Sequence, residues 1–190
     1  MSKKAIPVFY ACDDNFVKYT IVSLYSMICN ASKEFNYNVC ILHTGITEKM
    51  MNKVKELEND NFKISFEDVT EYLHSIKDKL PIRDYYSKST YYRLFIAEMF
   101  PELEKAVYID SDTIVQGDIS EFYNTDIKDA YVGACHEQAM IQVDEYGTYC
   151  EKVVGVSRYN FFNAGILLIN CNQFRLHFVL DKFIEYLHVY

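Results

Sequence analysis

Apolar residues along this chain fall into two kinds of segment, and the kinds alternate. Short apolar runs at residues 6–12, 38–43, 106–109, 131–135 and 165–170 read as buried strands. Ile64 and Phe66 alternate with polar neighbours, as in a strand with one covered face. Longer mixed segments separate the runs. Residues 15–29 and 90–99 read as helices, and Pro101 follows the second. Thr47 is placed to cap a helix in which Met50, Val54 and Leu57 fall at i, i+4 and i+7. Residues 173–190 read as one last helix, with Phe174, Phe178 and Phe183 in its apolar set.

Strands that alternate with helices predict an α/β fold: a mostly parallel central sheet flanked by helices, as a single domain over residues 1–190. Ligands of such sheets bind beyond the carboxyl ends of the strands. The residues after each predicted strand therefore matter most. They are Asp13, Asp14 and Asn15 after the first, Asp110, Ser111 and Asp112 after the 106–109 run, and His136 and Glu137 after the 131–135 run. Asn163 stands just before the 165–170 run.

The pair Asp110 and Asp112 has a physical logic. Residues i and i+2 of an extended chain share a side, roughly 6.6 Å apart at Cα. Two carboxylates about 5 Å apart repel by roughly 3 kcal/mol at an effective dielectric of 20. A divalent cation turns that repulsion into attraction, and oxygen ligands suit Mn²⁺ or Mg²⁺. The spacing alone is weak, because a chain with 13 Asp shows one such pair about once by chance. Its setting between Val107-Tyr108-Ile109 and Thr113-Ile114-Val115 is what raises it, since acids inside an apolar run need compensation. An acidic turn after a strand remains the plain alternative. For Asp13 to Asn15 the alternative is an ordinary helix cap, and for Arg93 a solvated helix-surface charge.

Composition narrows the classes. Half of the 190 residues are hydrophobic and 24% are charged, a globular balance. The net charge of −8 argues against a nucleic-acid binder, which would need a basic stripe for phosphates. An acidic protein can still take a diphosphate through a bridging cation. Seventeen Tyr and no Trp suit half-buried walls that end in a hydroxyl. Six cysteines form no Cys-x-x-Cys pair, which argues against zinc. Cys12, Cys40 and Cys135 lie in apolar runs as small hydrophobes, which favours the cytoplasm. The short apolar run after Lys3 and Lys4 ends in Asp13-Asp14, so it does not read as a signal sequence. No run has the length of a transmembrane helix. Neither a Gly-x-Gly-x-x-Gly nor a Walker-type loop is present.

Five ordered stretches carry a resemblance: Tyr10-Ala11-Cys12-Asp13-Asp14-Asn15, Ser89-Thr90-Tyr91-Tyr92-Arg93-Leu94, Val107-Tyr108-Ile109-Asp110-Ser111-Asp112, Gly133-Ala134-Cys135 and Phe162-Asn163-Ala164-Gly165-Ile166-Leu167-Leu168-Ile169-Asn170. Together they resemble glycosyltransferase family 8, the retaining family of glycogenin and the bacterial lipopolysaccharide galactosyl- and glucosyltransferases. The resemblance implies the GT-A nucleotide-diphospho-sugar transferase fold. It implies a hexose, glucose or galactose, moved from a UDP-sugar to a saccharide or glycolipid acceptor. It places Ala11, Asp13 and Asn15 against the uridine, Ser111 against the ribose and Arg93 on the donor. Asp110 and Asp112 would ligate Mn²⁺, and Asn163 and Ala164 would line the sugar pocket. Glu137 and Asn163 are the candidates for a catalytic role.

The family pattern continues into an Asp-Gln-Asp type motif and a His-x-x-Gly-x-x-Lys-Pro-Trp type segment, neither of which occurs in these 190 residues. The later His is the family's third metal ligand and the later Lys binds the diphosphate. The expectation is therefore a chain short of the family's C-terminal segment, with weak Mn²⁺ and UDP binding and with any peripheral membrane contact confined to that segment. Two rivals stand beside it. A non-catalytic UDP-sugar-binding domain fits the same residues. An Asp-x-Asp phosphatase would use Asp110 as nucleophile, but lacks the later acidic pair such enzymes need.

Overall fold

The computed structural model of the chain describes residues 3–76 and 88–189. Six strands form one sheet in the order β3-β2-β1-β4-β6-β5. They are β1 (Ala5–Ala11), β2 (Asn36–His43), β3 (Phe62–Asp68), β4 (Lys105–Ile109), β5 (Val132–His136) and β6 (Phe162–Asn170). Three neighbouring pairs, β2–β3, β1–β2 and β1–β4, are parallel. β6 runs antiparallel to both β4 and β5. The mostly parallel sheet expected from the alternation is present. The antiparallel strand is what brings the start of β6 beside the end of β4.

Both faces of the sheet are covered, which is why its central strands read as unbroken apolar runs. On one face Ile6, Val8, Tyr10, Val107 and Ile109 pack with Val17, Leu24 and Met27 of α1 (Val17–Asn30) and Val54 of α2 (Glu48–Lys55). On the other, Phe9, Ala11, Ala106 and Tyr108 meet Phe95 and Ile96 of α4 (Tyr92–Met99). Phe174 of α8 (Cys171–Leu176) and Ile184 of α9 (Val179–Val189) extend that second layer. A short helix α3 (Thr70–Ser75) follows β3, and α5 (Ile119–Asn124) follows the loop after β4. Between β5 and β6 lie α6 (Gln138–Gln142), α7 (Asp144–Tyr149) and a π-helical turn at Cys150–Val154. Arg158 ties that lobe together through Glu151 and Asp144.

Three expectations change. Residues 173–190 do not form one helix: α8 stops at Leu176, and Phe178 takes a left-handed φ of 52° before α9 starts. Arg175 explains the stop, because it donates to the carbonyls of Ala97 and Leu103 and so fixes α8 beneath α4. Tyr190 lies outside the described residues. β6 begins at Phe162, earlier than the apolar run, because its first three residues are exposed yet still in the strand. Cys135 is exposed, not a packed hydrophobe like Cys12 and Cys40, because a register shift between Ala134 and His136 breaks the strand's alternation there.

At the end of β2, buried His43 holds the next turn. Its Nδ1 accepts from the backbone N–H groups of Gly45 and Ile46, at 3.1 and 3.3 Å. Gly45 has a φ of 142°, which favours glycine. Burial lowers the His43 pKa from 6.5, opposed by the charges of Asp68 and Glu67. A proton on Nδ1 would cancel both bonds. The folded value lies below the unfolded one, so the stabilisation is whole above about pH 6.5 and is lost as pH falls through the folded value. Urea unfolding from pH 7.5 to 5 should show this loss in the native chain, and a smaller pH dependence in His43→Gln.

Candidate active site

Strand alternation places the central residues. Tyr108 and Ile109 face opposite sides of β4, so Asp110, just past the strand, falls on the same side as Tyr108, under α4. There the Tyr108 hydroxyl donates to Asp110 Oδ1 at 2.7 Å, and Arg93 Nη2 donates to the same oxygen at 3.0 Å. The Arg93 guanidinium also lies over the Tyr108 ring, 4.4 Å from its centroid. Its Nη1 donates to the carbonyl of Ala164, and its Nε to that of Thr90 at 2.9 Å. Arg93 is thus no solvated surface charge: its side chain is 12% exposed.

Across from Asp110 sits Gly165, whose carbonyl accepts from the Asp110 N–H at 2.7 Å. A Cβ at Gly165 would stand 2.7 Å from Asp110 Oδ2 and 2.9 Å from Asn163 Oδ1. The glycine therefore keeps open the space in front of Oδ2. Burial raises the Asp110 pKa and the Asp112 charge adds to this, while the Tyr108 hydrogen bond and Arg93 pull it down. Burial also raises the Tyr108 phenol.

The loop after Asp110 turns at Ser111 and Asp112 and does not continue as extended chain. A polar stripe on α1 holds it. Thr20 donates to Ser111 Oγ, and Ser111 donates to the Ala11 carbonyl. Ser23 meets Thr113 at 2.9 Å, Ser26 accepts from the Val115 N–H, and Asn30 donates to the Val115 carbonyl. The Ser111 hydroxyl is thereby spent inside the fold, with the residue 6% exposed. Asp112 is exposed, and no described side chain bonds it.

Two open clefts meet at this loop. The first, about 600 Å³ of free space, is lined by Ala11, Cys12, Asp13, Phe16, Ser89, Thr90, Arg93, Tyr108 and the Asp110–Asp112 turn. The second, about 970 Å³, is lined by Asp110, Asp112, Cys135, His136, Glu137, Asn163 and Gly165 among others. Asp110 and Asp112 belong to both. Asp13 accepts from the N–H groups of Asn15 and Phe16, each at 2.9 Å, so its carboxylate shapes the start of α1 as well as the cleft wall. Asn15 is exposed and lines neither cleft. Asp14 turns away and accepts from the N–H and hydroxyl of Thr47, which fixes α2. In the second cleft Asn163 Nδ2 donates to Glu137 Oε2 at 2.6 Å, and Glu137 Oε1 accepts from the Ala139 N–H. The Ala164 carbonyl is taken by Arg93. Burial pushes the Cys12 thiol up to about 11, so it is no nucleophile at neutral pH.

Comparison with known proteins decides the class. Residues 7–190 match the sequence profile of Glycosyl transferase family 8. The chain belongs to this family. A relative, a putative glycosyltransferase of Haemophilus influenzae, is 30% identical over 184 residues, 96% of this chain and 54% of its own length. General stress protein A of Bacillus subtilis is 26% identical over 99% of this chain and 64% of its own. Among solved structures, the galactosyltransferase LgtC in complex with donor and acceptor sugar analogs superposes with a TM-score of 0.71 at 25% identity, over 90% of this chain and 60% of that one. The bifunctional glycosyltransferase WbbM gives 0.81 at 25%, over 97% of this chain and 35% of that one. The family-8 chain described here spans about half to two thirds of these two curated relatives' length. The GT-A type fold is shared with these structures.

Sequence reasoning named Arg93, Asp110, Asp112, Glu137 and Asn163, and the fold brings them into adjoining clefts. It missed Tyr108, Phe16 and the α1 stripe. Tyr108 was hidden by its apolar surroundings. The signal for the stripe was the recurrence of Thr20, Ser23 and Ser26 on an otherwise apolar helix. Arg93→Ala should lower stability by about 1–2 kcal/mol in urea unfolding at neutral pH, a broken pair discounted because Asp110 is 34% exposed.

Proposed function

We propose that this chain forms the donor-binding part of a metal-dependent retaining hexosyltransferase, which moves glucose or galactose from a UDP-sugar to a saccharide or glycolipid acceptor. One observation carries the reading: two clefts share the acidic turn Asp110–Asp112. A donor with its diphosphate at that turn has its nucleoside toward Ala11, Asp13, Phe16 and Thr90, and its sugar toward Glu137, Asn163 and Ala164. The similar fold of the galactosyltransferase LgtC, solved in complex with donor and acceptor sugar analogs, supports a sugar donor as the ligand.

The residues present fit a divalent cation in part. Asp110 Oδ2 faces space that a Cβ at Gly165 would fill, and Asp112 is exposed beside it. Among the described residues no group of three or more His, Cys, Asp or Glu is placed to hold a metal, so Asp110 and Asp112 would supply two ligands. Mn²⁺, or Mg²⁺, would supply Lewis-acid stabilisation of the leaving diphosphate. Asp13, Asp110 and Asp112 make the first cleft acidic, and without such a cation they would repel a diphosphate. Arg93 orients the donor side by joining α4 to β6. Asn163 and the Ala139 N–H hold both oxygens of Glu137, so its carboxylate is set to orient a sugar hydroxyl at the second cleft.

Six free cysteines support a reducing compartment, the cytoplasm. No helix among the described residues is long and apolar enough to cross a membrane. Titration calorimetry of the chain with UDP should show weak binding that requires Mn²⁺. Asp110→Ala combined with Asp112→Ala should weaken it more than about tenfold. Binding left unchanged by the double substitution would sink the reading.

A further inference from the structure

The two oxygens of Asp110 have unlike surroundings. Oδ1 accepts from the Tyr108 hydroxyl at 2.7 Å and from Arg93 Nη2 at 3.0 Å. Oδ2 takes no hydrogen bond from any described residue and faces the gap in front of Gly165. The phenol has no other described partner, and its ring is fixed on both sides. It is 1% exposed in the core under α4, and the Arg93 guanidinium stacks on it at 4.4 Å. A donor this well fixed sets the torsion of the carboxylate it binds. Without it, Arg93 alone would hold Oδ1, and Arg93 also spends donors on Ala164 and Thr90.

From this we infer that Tyr108 is a positioning residue: with Arg93 it closes Oδ1 of Asp110, so that Oδ2, in the space kept by Gly165, is the oxygen turned to a divalent cation. The inference rests on the proposed metal site and adds to it which group aims the ligand. Partners that orient a metal ligand commonly govern affinity by 10–100-fold when removed.

The test is Mn²⁺ binding alone, read by the loss of the free-ion electron paramagnetic resonance signal, with no donor and no activity assay. Tyr108→Phe keeps the ring and removes only the hydroxyl. It should weaken Mn²⁺ binding by about tenfold while its melting curve shows a folded chain. Tyr37→Phe is the control, since Tyr37 pairs with Ile6 at the start of β1, the opposite end of the sheet from the cleft, and its hydroxyl bonds Ser32 and Asp118; it should bind Mn²⁺ like the native chain. Gly165→Ala, which sets a methyl group against Oδ2 and leaves Tyr108 intact, should also weaken binding by tenfold or more, and tests the Oδ2 half of the inference even if Tyr108→Phe does not fold.

Native affinity in folded Tyr108→Phe, or in Gly165→Ala, overturns the inference. So does an equal loss in Tyr37→Phe. If the native chain itself binds no Mn²⁺, or Asp110→Ala binds it as well as the native chain does, the metal site fails and the inference fails with it. Loss in Asp110→Ala with none in Tyr108→Phe leaves the site standing and removes only the role of Tyr108.

Discussion

A carboxylate left partly exposed at the end of a strand buried from Ala106 to Ile109 needs donors, and Asp110 draws them from two directions. Tyr108 comes from its own strand and Arg93 from the helix above. Arg93 in turn reaches β6 at Ala164 and the turn before α4 at Thr90. One ionic contact thus spans β4, β6 and α4, and the position of each depends on it. Removing water from such a pair strengthens it, and burial raises the penalty if either partner is lost. The cleft is therefore built on a charge already half neutralised, with one oxygen still free.

The loop beyond Asp110 is held by a different kind of bond. Thr20, Ser23, Ser26 and Asn30 recur on one stripe of α1, each bonding the 111–115 segment. These short side chains lose little rotamer freedom, and their oxygens suit loop N–H, carbonyl and hydroxyl groups. No buried side-chain polar atom among the described residues is left without a partner. A turn that carries two like charges is fixed this way without a further buried charge.

Most of the sheet was legible because its central strands are covered on both faces, so they read as apolar runs in sequence. The site was legible where side-chain type and position coincide, as at Asp110 and Asp112. What escaped was set by tertiary contact. The break at Phe178 follows from Arg175 docking on α4, and hydropathy spacing carries no record of that. Exposed residues 162–164 belong to β6 through pairing rather than hydrophobicity. Tyr108 looked like filler because its ring is; its one polar atom does the positioning. Ser111, read from the resemblance as a ribose contact, lines the first cleft with its hydroxyl bonded to Thr20 and the Ala11 carbonyl, a detail that only the packing of α1 reveals.

The antiparallel placement of β6 has a consequence for how the chain is made. β6 lies between β4 and β5 although it is the last of the six described strands in chain order. Until residue 170 has left the ribosome, the apolar edge of β4 has no partner on that side, and β5 has no sheet to join. Synthesis at about 5–20 residues per second leaves that edge open for several seconds after β4 emerges. An unpaired apolar edge is a template for mispairing during this interval. Gly165, which sets the space in front of Asp110, joins the sheet only when β6 does.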